Sequence, residues 1–277
     1  QGLDKLIIQK LGLKTNGEDI SKWLSILDIL KNPKQATEIA IVGKYICHQS
    51  AYESIYESLI HGGIGNNARV RMRRVESEDV EKNGARASLE GVRGILVPGG
   101  FGMRGVEGKI EAIQYARENK IPFFGICLGL QCAAIEFARN VCNLKDANST
   151  EFDVNTPHPV ISLLEEQCKV SGKGGTMRLG AQPCILQAET KAFKSYGRQN
   201  ISERHRHRYE FNNTYKEIFL ASGMVFSGHS PNEQLVEIME LKDHPWFVCV
   251  QFHPEFKSKP TNPHPLFKEF IRASLSF

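Results

Sequence analysis

The chain has 277 residues, of which 41% are hydrophobic and 24% charged, as in an ordinary globular protein. Its net charge is only +4, and basic and acidic residues are interspersed, so composition argues for neither a nucleic-acid nor a membrane partner. The most apolar stretch, Ile121 to Ile135, is too short to span a membrane, and no signal peptide precedes it. The seven cysteines form no C-x-x-C pair, which argues against a zinc site or disulfide framework and favours a reducing, cytoplasmic compartment.

Residues 1–36 are expected to form linker helices that lead into a main domain at residues 37–277. Apolar residues recur at helical intervals in LDKLIIQKLGLK and in SKWLSILDILKNP, and Pro33 follows the second pattern as a stop. The sequence begins with Gln1 instead of methionine, which favours a fragment or a processed product.

The main domain begins with alternating strand and helix patterns. TEIAIVGKY, ARVRMRRV, GILV and IPFFGI predict four strands, and SAYESIYESLIHGG, KIEAIQYARENK and LGLQCAAIEFARNV predict helices between and after them. Arg71, Arg73 and Arg74 in the second strand favour a solvated edge over a nucleic-acid patch. The alternation predicts an α/β fold with a mostly parallel central sheet flanked by helices. Reactive groups then gather at the carboxyl ends of the strands.

The pattern loosens after Asn148, and the glycines of GKGGTMRLG predict a mobile loop. LVEIMEL and WFVCVQF predict two further strands, and the second run leads to His253. PLFKEFIRASL predicts a last helix.

Cys127 stands in the run GICLG, where an apolar strand gives way to a helix. A buried structural thiol is the simpler interpretation, because free cysteine behaves as a small hydrophobic residue. The alternative is a nucleophile elbow, in which flanking glycines permit a tight, strained turn. The helix behind it then presents N–H groups and a positive dipole end to the sulfur, which favours the reactive thiolate.

His253, Pro254 and Glu255 offer the base that a thiol nucleophile needs. Residues two apart in an extended segment point the same way, so Glu255 is placed to fix the tautomer of His253, and Pro254 stiffens the geometry. The glycines of PGGFG let the backbone approach a substrate closely, and the N–H groups of Gly100 and Leu128 are the candidate oxyanion donors. Each pattern alone is weak, but in this order on these strand ends they jointly indicate nucleophilic catalysis.

The runs GICLGLQ, PGGFG and QFHPEF resemble those of class I, triad-type glutamine amidotransferases, and the resemblance extends from about residue 38 to the C-terminus. VPGGFGMRG, FARNVCNLKDANSTEFD, GGTMRLG and RHRHRYEFN are similar, within that class, to the glutaminase half of the CTP synthase family. The resemblance implies a flavodoxin-like fold. It also implies that Cys127 attacks the side-chain amide of L-glutamine, that His253 carries the proton and that Glu255 orients His253.

The resemblance further implies a set of substrate contacts. Glu151 is expected at the α-amino group and Arg208 at the α-carboxylate, and charge pairing suits both roles. Taken alone, Glu151 equally fits a helix cap or the surface, and RHRHR a solvated or nucleic-acid-facing run. The remaining contacts are Gly100, Phe101, Leu128 and Gln131. The cysteines without a partner motif are expected to be structural: Cys132, Cys142, Cys168, Cys184 and Cys249.

No G-x-x-x-x-G-K-[ST] phosphate loop occurs in the sequence. The resemblance therefore implies that ATP and magnesium act on an N-terminal synthetase domain of the same polypeptide, which aminates UTP to CTP, and that the full-length protein is a homotetramer. No cofactor or metal is expected in the glutaminase domain. GTP is expected to activate it through Gly174 to Gly180 and Phe101 to Arg104.

Two alternatives stay open at this point. One is a stand-alone hydrolase of the same fold that acts on peptides or γ-glutamyl chains. Glu151 and Arg208 argue against it, since clamping both ends of a free amino acid has no use with a chain substrate. The other is a non-catalytic assembly domain. The presence of Cys127, His253 and Glu255 speaks against lost catalysis but does not exclude an added assembly role.

Overall fold

The computed structural model describes residues 2–15, 19–46, 49–163 and 177–277. The strands within these ranges are β1 (Gln35–Gly43), β2 (Ala68–Glu76), β3 (Gly94–Val97), β4 (Phe123–Ile126), β5 (Ala147–Ser149), β6 (His158–Ser162), β7 (Arg178–Leu186), β8 (Asn200–His207), β9 (Glu210–Phe211), β10 (Met224–His229), β11 (Val236–Leu241) and β12 (Phe247–Val250). The helices are α1 (Leu3–Leu11), α2 (Ser21–Lys31), α3 (Glu53–Ile64), α4 (Ser77–Asn83), α5 (Ala85–Leu89), α6 (Val106–Glu118), α7 (Leu128–Asn140), α8 (Lys191–Tyr196), α9 (Lys216–Ala221) and α10 (Pro265–Ser276).

The central sheet has the strand order β2-β1-β3-β4-β12-β11-β10-β7-β8. Neighbours from β2 to β12 run parallel, and those from β12 to β8 run antiparallel. The predicted α/β fold is confirmed, and its parallel part is the half that the alternating pattern indicated. Because β3, β4 and β12 are parallel neighbours, their carboxyl ends meet at one edge, which brings the PGG run, Cys127 and the His253 segment together.

Helices cover both faces of the parallel half. On one face, α6 and α7 pack over residues such as Ile95 and Phe123. On the other, α3 and α10 pack over Phe124, whose ring meets that of Phe267 at a centroid distance of 5.2 Å. All residues of β3 and β4 are buried, as expected of strands covered on both sides. This packed layer holds the functional edge rigid.

Between residues 148 and 235 the sequence pattern indicated no strand, but strands β6 to β10 lie in the described part of this range. Residues 172–176 of the predicted mobile loop lie outside the described residues. Arg178–Leu186 forms a full strand, although its glycine-rich approach predicted a loop. Its partner β8 alternates strictly between exposed and buried residues, but several buried positions are polar, so a search for apolar alternation overlooks the strand. The start of the predicted responsive segment, 174–176, lies outside the described residues, as does Cys168.

Both predicted N-terminal helices form. The side chains of α1 are not buried, and α2 buries only Ile26 while it contacts α3 and β2. Strand β1 begins at Gln35, two residues before the expected start of the main domain. Within the described ranges, no helix is both long enough and apolar enough to cross a bilayer.

Candidate active site

Cys127 occupies the turn between β4 and α7, with φ 52° and ψ −102°. A positive φ is strained for a residue with a side chain and persists only where the surroundings enforce it. Here the backbone N–H of Cys127 donates to the carbonyl of Val250 at 2.7 Å, and its own carbonyl accepts from the N–H groups of Leu130 and Gln131. The side chain is 5% exposed. The structure therefore places the thiol on the strained elbow that the sequence indicated.

The two glycines around Cys127 make room for the elbow and do not themselves adopt the positive φ. A Cβ on Gly129 would lie 2.2 Å from the carbonyl oxygen of Val97, and one on Gly125 would lie 2.9 Å from the carbonyl oxygen of Gly129. These glycines therefore permit the tight turn through the space that they leave, and not through a positive φ of their own. They allow α7 to start directly against β3, while Cys127 carries the strain.

His253 and Glu255 lie together beside the sulfur. The Nδ1 of His253 is 2.7 Å from the Oε1 of Glu255, although the segment is not extended as predicted: β12 ends at Val250, and Pro254–Lys257 forms a 3-10 turn. Burial alone would lower the pKa of His253, but hydrogen bonds to Cys127 and Glu255, with their charges, outweigh it and raise that pKa to about 10. A protonated imidazole next to the sulfur favours the thiolate.

The turn that carries Glu255 is fastened to strand β8. The backbone N–H of His253 donates to the carbonyl of Arg204 at 2.7 Å. The amino group of Lys257 lies 3.1 Å from the Oε1 of Glu203 and also donates to a neighbouring β8 carbonyl. The buried Glu203 carboxylate accepts a further hydrogen bond, at 3.1 Å, from the hydroxyl of Tyr196. Sequence reasoning missed this support, because the contacts between the turn and β8 join residues 49 to 55 positions apart.

A pocket of about 520 Å³ opens onto the sulfur, a size that suits a small polar molecule. Eight of the nine predicted site residues line it, namely Gly100, Phe101, Cys127, Gln131, Glu151, Arg208, His253 and Glu255. The ninth, Leu128, is 1% exposed and would contribute only its main-chain N–H. That N–H belongs to the first turn of α7, where the helix itself provides no acceptor.

Glu151 links the pocket to the PGGFG loop. Its Oε1 accepts a hydrogen bond of 3.0 Å from the N–H of Gly102, whose φ of 75° suits glycine. The amino group of Lys44 donates to the carbonyl of Phe101, whose ring is 80% exposed at the rim. A Cβ on Gly99 would come within 2.8 Å of the His253 ring. The loop is therefore positioned by charged groups on one side and by the imidazole on the other.

Two buried glutamine side chains lie behind the nucleophile. Gln131 donates from its Nε2 to the carbonyl of Tyr209 at 3.1 Å and to the Oε1 of Gln251 at 3.3 Å. The Nε2 of Gln251 in turn lies 3.7 Å from the Sγ of Cys127. Sequence reasoning placed Gln131 at the site but missed Gln251, and the signal that pointed to it was its position two residues before His253.

The sequence matches a known protein family and curated relatives. The family model "Glutamine amidotransferase class-I" matches residues 49–273. The chain belongs to this family. It is 58% identical over 275 residues to CTP synthase of Carboxydothermus hydrogenoformans, an alignment that covers 99% of this chain and 51% of the relative. It is 55% identical over 276 residues to CTP synthase of Caldanaerobacter subterraneus subsp. tengcongensis, covering 100% and 51% respectively.

A solved structure places this amidotransferase within its family. The glutaminase domain of Trypanosoma brucei CTPS, with bound acivicin, superposes with a TM-score of 0.82 at 39% identity and covers 87% of this chain and 94% of that domain. The chain thus matches the glutaminase half of CTP synthases. It spans about half the length of the curated relatives it matches.

The RHRHR run of this amidotransferase covers the end of strand β8 and Arg208, with Arg204 and Arg206 exposed and the two histidines turned inward. His205 and His207 are buried, and the Nε2 of His205 lies 2.7 Å from a Glu237 carboxylate that also binds Arg178 at 2.7 Å. Burial, with the nearby charges of His205 and Arg178, lowers the pKa of His207 to about 3, so this ring is neutral. The strand ends immediately before Arg208 and so delivers that guanidinium to the pocket.

The other described cysteines named in the sequence analysis are buried, in agreement with a structural role: Cys132, Cys142, Cys184 and Cys249. Burial raises the pKa of the Cys132 thiol to about 12, so it stays protonated and unreactive at neutral pH although it lies only one helical turn beyond Cys127. Within the described part of this amidotransferase, no group of three or more His, Cys, Asp or Glu side chains could hold a metal ion.

Proposed function

We propose that this chain hydrolyses L-glutamine to glutamate and ammonia through a thioester on Cys127. The observation that carries the proposal is the Cys127, His253 and Glu255 arrangement at the floor of a pocket whose walls include Glu151 and Arg208. The family match supports the same chemistry.

The first half-reaction forms the thioester. The Cys127 thiolate attacks the side-chain amide carbon, an S–C bond forms, and the carbonyl electron pair moves onto oxygen. The resulting oxyanion accepts hydrogen bonds from the backbone N–H groups of Leu128 and Gly100. His253 gives its proton to the amide nitrogen, the C–N bond breaks, and ammonia leaves.

The second half-reaction restores the thiol site. His253, now neutral, takes a proton from water, and the hydroxide adds to the thioester carbon. The oxyanion collapses, the S–C bond breaks, and glutamate leaves while Cys127 returns as thiolate beside protonated His253. Glu255 holds the Nδ1 side of the ring throughout, which leaves Nε2 for the sulfur and the water.

The pocket walls suit a free amino acid. We assign the carboxylate of Glu151 to the α-ammonium group and the guanidinium of Arg208 to the α-carboxylate, since both side chains line the pocket and opposite charges give charge-assisted hydrogen bonds. Gln131 and Phe101 complete the wall around the carbon chain. A residue inside a peptide or a γ-glutamyl chain has its α-nitrogen in an amide bond and offers no ammonium group to Glu151, so we place such substrates second.

The similarity to CTP synthases supports a larger proposal. We propose that the ammonia serves ATP-dependent amination of UTP to CTP on a synthetase domain of the same polypeptide. ATP and magnesium act there, residues 1–36 are the linker, and the full-length protein is a cytoplasmic homotetramer. GTP is the proposed activator, and the rim fits a nucleotide: the Lys44 amino group lies 5.6 Å from the exposed Phe101 ring centroid, and Arg104 stacks on Tyr45.

Covalent labelling with 6-diazo-5-oxo-L-norleucine, a glutamine-like electrophile, tests the proposal. We expect one adduct, located on the Cys127 peptide by mass spectrometry, and none in Cys127→Ala. Cys142→Ala removes a buried thiol away from the pocket and should label like the wild type. Wild-type protein that labels no better than Cys127→Ala would refute the catalytic proposal and leave an assembly role. Faster cleavage of γ-glutamyl peptides, measured as release of the amine-bearing product, than of glutamine would instead support the chain-substrate alternative.

A further inference from the structure

We propose that Gln251 donates a hydrogen bond to the Cys127 sulfur and that Gln131 fixes its orientation from the carbonyl of Tyr209. Gln251 would then be a further catalytic residue of the glutaminase reaction, because it touches the reacting atom, and Gln131 a positioning residue. The inference rests on the proposed function, since it concerns the same nucleophile.

The direction of the hydrogen bonds follows from the end of the chain of groups. The carbonyl of Tyr209 can only accept, so the Gln131 group 3.1 Å from it must be the amide NH₂. That NH₂ has two hydrogens, and the second meets the side chain of Gln251 at 3.3 Å, which must therefore present its oxygen. The NH₂ of Gln251 is then left to face the Cys127 sulfur, 3.7 Å away.

Both glutamine side chains are buried, which makes the loss of any of these hydrogen bonds costly. Gln251 is 0% exposed and Gln131 is 3% exposed, so water does not replace a hydrogen bond that either loses. The backbone N–H of Gln251 donates to the carbonyl of Glu237 at 2.9 Å, which fixes the main chain from which its amide projects. An N–H aimed at the sulfur stabilises the charged thiolate more than the neutral thiol, because hydrogen bonding to a charged form favours that form.

The hydrogen bonds that run from the Tyr209 carbonyl through Gln131 and Gln251 to Cys127, termed the relay, also connect substrate recognition to the nucleophile. Tyr209 directly follows Arg208, which we assign to the substrate carboxylate, so a shift of this backbone on binding reaches the sulfur through two side chains. Both hydrogens of Gln131 are engaged in the relay. A direct contact of Gln131 with glutamine must therefore use its oxygen, which accepts from an ammonium or amide group of the substrate.

The test measures how fast iodoacetamide alkylates Cys127 as a function of pH, by mass spectrometry of the Cys127 peptide, with no glutamine present. Gln251→Met keeps the side-chain length but removes the donor, and Gln251→Glu replaces it with an acceptor. We expect the pH of half-maximal rate to rise by about one unit in both variants. The matched control is Gln182→Glu on β7, outside the pocket, which should keep the wild-type profile.

Gln131→Met supplies a second route if the Gln251 variants do not fold. This variant keeps Gln251, the direct partner of the sulfur, but no longer fixes the orientation of its amide. We therefore expect the pH of half-maximal alkylation rate to rise, but by less than in the Gln251 variants. If the Gln251 variants fold, a wild-type pH profile in Gln251→Met, or a shift confined to Gln251→Glu, would overturn the relay. If they do not fold, a wild-type pH profile in Gln131→Met would overturn it. If one of these results comes together with normal glutamine hydrolysis, the inference about Gln251 and Gln131 fails and the proposed function stands. Absence of glutamine hydrolysis and of Cys127 labelling in wild-type protein removes the proposed function instead.

Discussion

Replacing Glu255 by glutamine removes the charge beside His253 and keeps the side-chain shape. The carboxylate lies 2.7 Å from Nδ1 and is almost fully buried, so the interaction is a charge-assisted hydrogen bond with little screening. Such a bond contributes about 1.5–3 kcal/mol. At 1.36 kcal/mol per pKa unit, the pKa of His253 should fall from about 10 by roughly one to two units.

The same loss should appear in catalysis. His253 becomes protonated during turnover, so a weaker interaction with its partner lowers kcat by roughly 10- to 100-fold, while KM for glutamine changes little. Stability should respond as well. Because the pKa of His253 is raised in the folded state, its contribution is complete below about pH 6.5 and is lost as the pH rises toward 10, and Glu255→Gln should reduce that pH dependence.

Histidine titration followed by NMR on selectively labelled protein, together with steady-state glutaminase rates, measures both effects. Glu57→Gln is the matched control, because Glu57 also faces a histidine, His61, at 3.8 Å but lies outside the pocket. It should leave kcat and the His253 titration unchanged. An unaltered His253 pKa and kcat in Glu255→Gln would refute the assignment of Glu255 as the orienting group.

Three further predictions concern the surroundings of the site. Arg208→Ala should raise KM for glutamine by about 100-fold with a smaller effect on kcat, whereas Arg204→Ala, at an exposed position on β8, should not. An unchanged KM in Arg208→Ala would remove Arg208 from the site. Lys257→Met should lower kcat about tenfold with little change in KM, because it releases the turn that carries Glu255. Lys259→Met, at an exposed position, is its control, and equal rates for the two variants would contradict the positioning role of Lys257. Burial raises the pKa of Glu210 to about 8, so thermal denaturation should show stability falling between about pH 4.5 and 8, and Glu210→Gln should flatten that fall; an unchanged slope would count against the burial effect.

The parallel half of the fold and the reactive triad could be predicted from the sequence because their signals are local. Strands β3 and β4 are continuous apolar runs bounded by glycine or proline, and the helices behind them repeat apolar residues at helical spacing. Cys127 follows β4 directly, and His253 comes three residues after the end of β12. Parallel neighbours then bring the two strand ends together without further information.

In the antiparallel half, β11 was predicted but β7, β8 and β10 were not, and the buried face of β8 is mostly polar. Strand β8 turns Glu203, His205 and His207 inward, where they pair with groups on other elements, including Glu237 on β11 and Lys257 on the turn. Hydropathy does not reveal a buried position whose cost is offset by a distant partner. The role of the Gln251 amide was not predicted for the same reason, because it depends on a contact with Gln131, 120 positions away.

The central claim is that Cys127 carries glutamine hydrolysis, and a direct measurement compares glutamate release from L-glutamine by wild-type protein and Cys127→Ala. The account predicts glutamate formation by the wild type and a loss of at least about 1,000-fold in Cys127→Ala, since removal of a triad nucleophile abolishes the covalent route. Equal rates of glutamate release in the two proteins would contradict it.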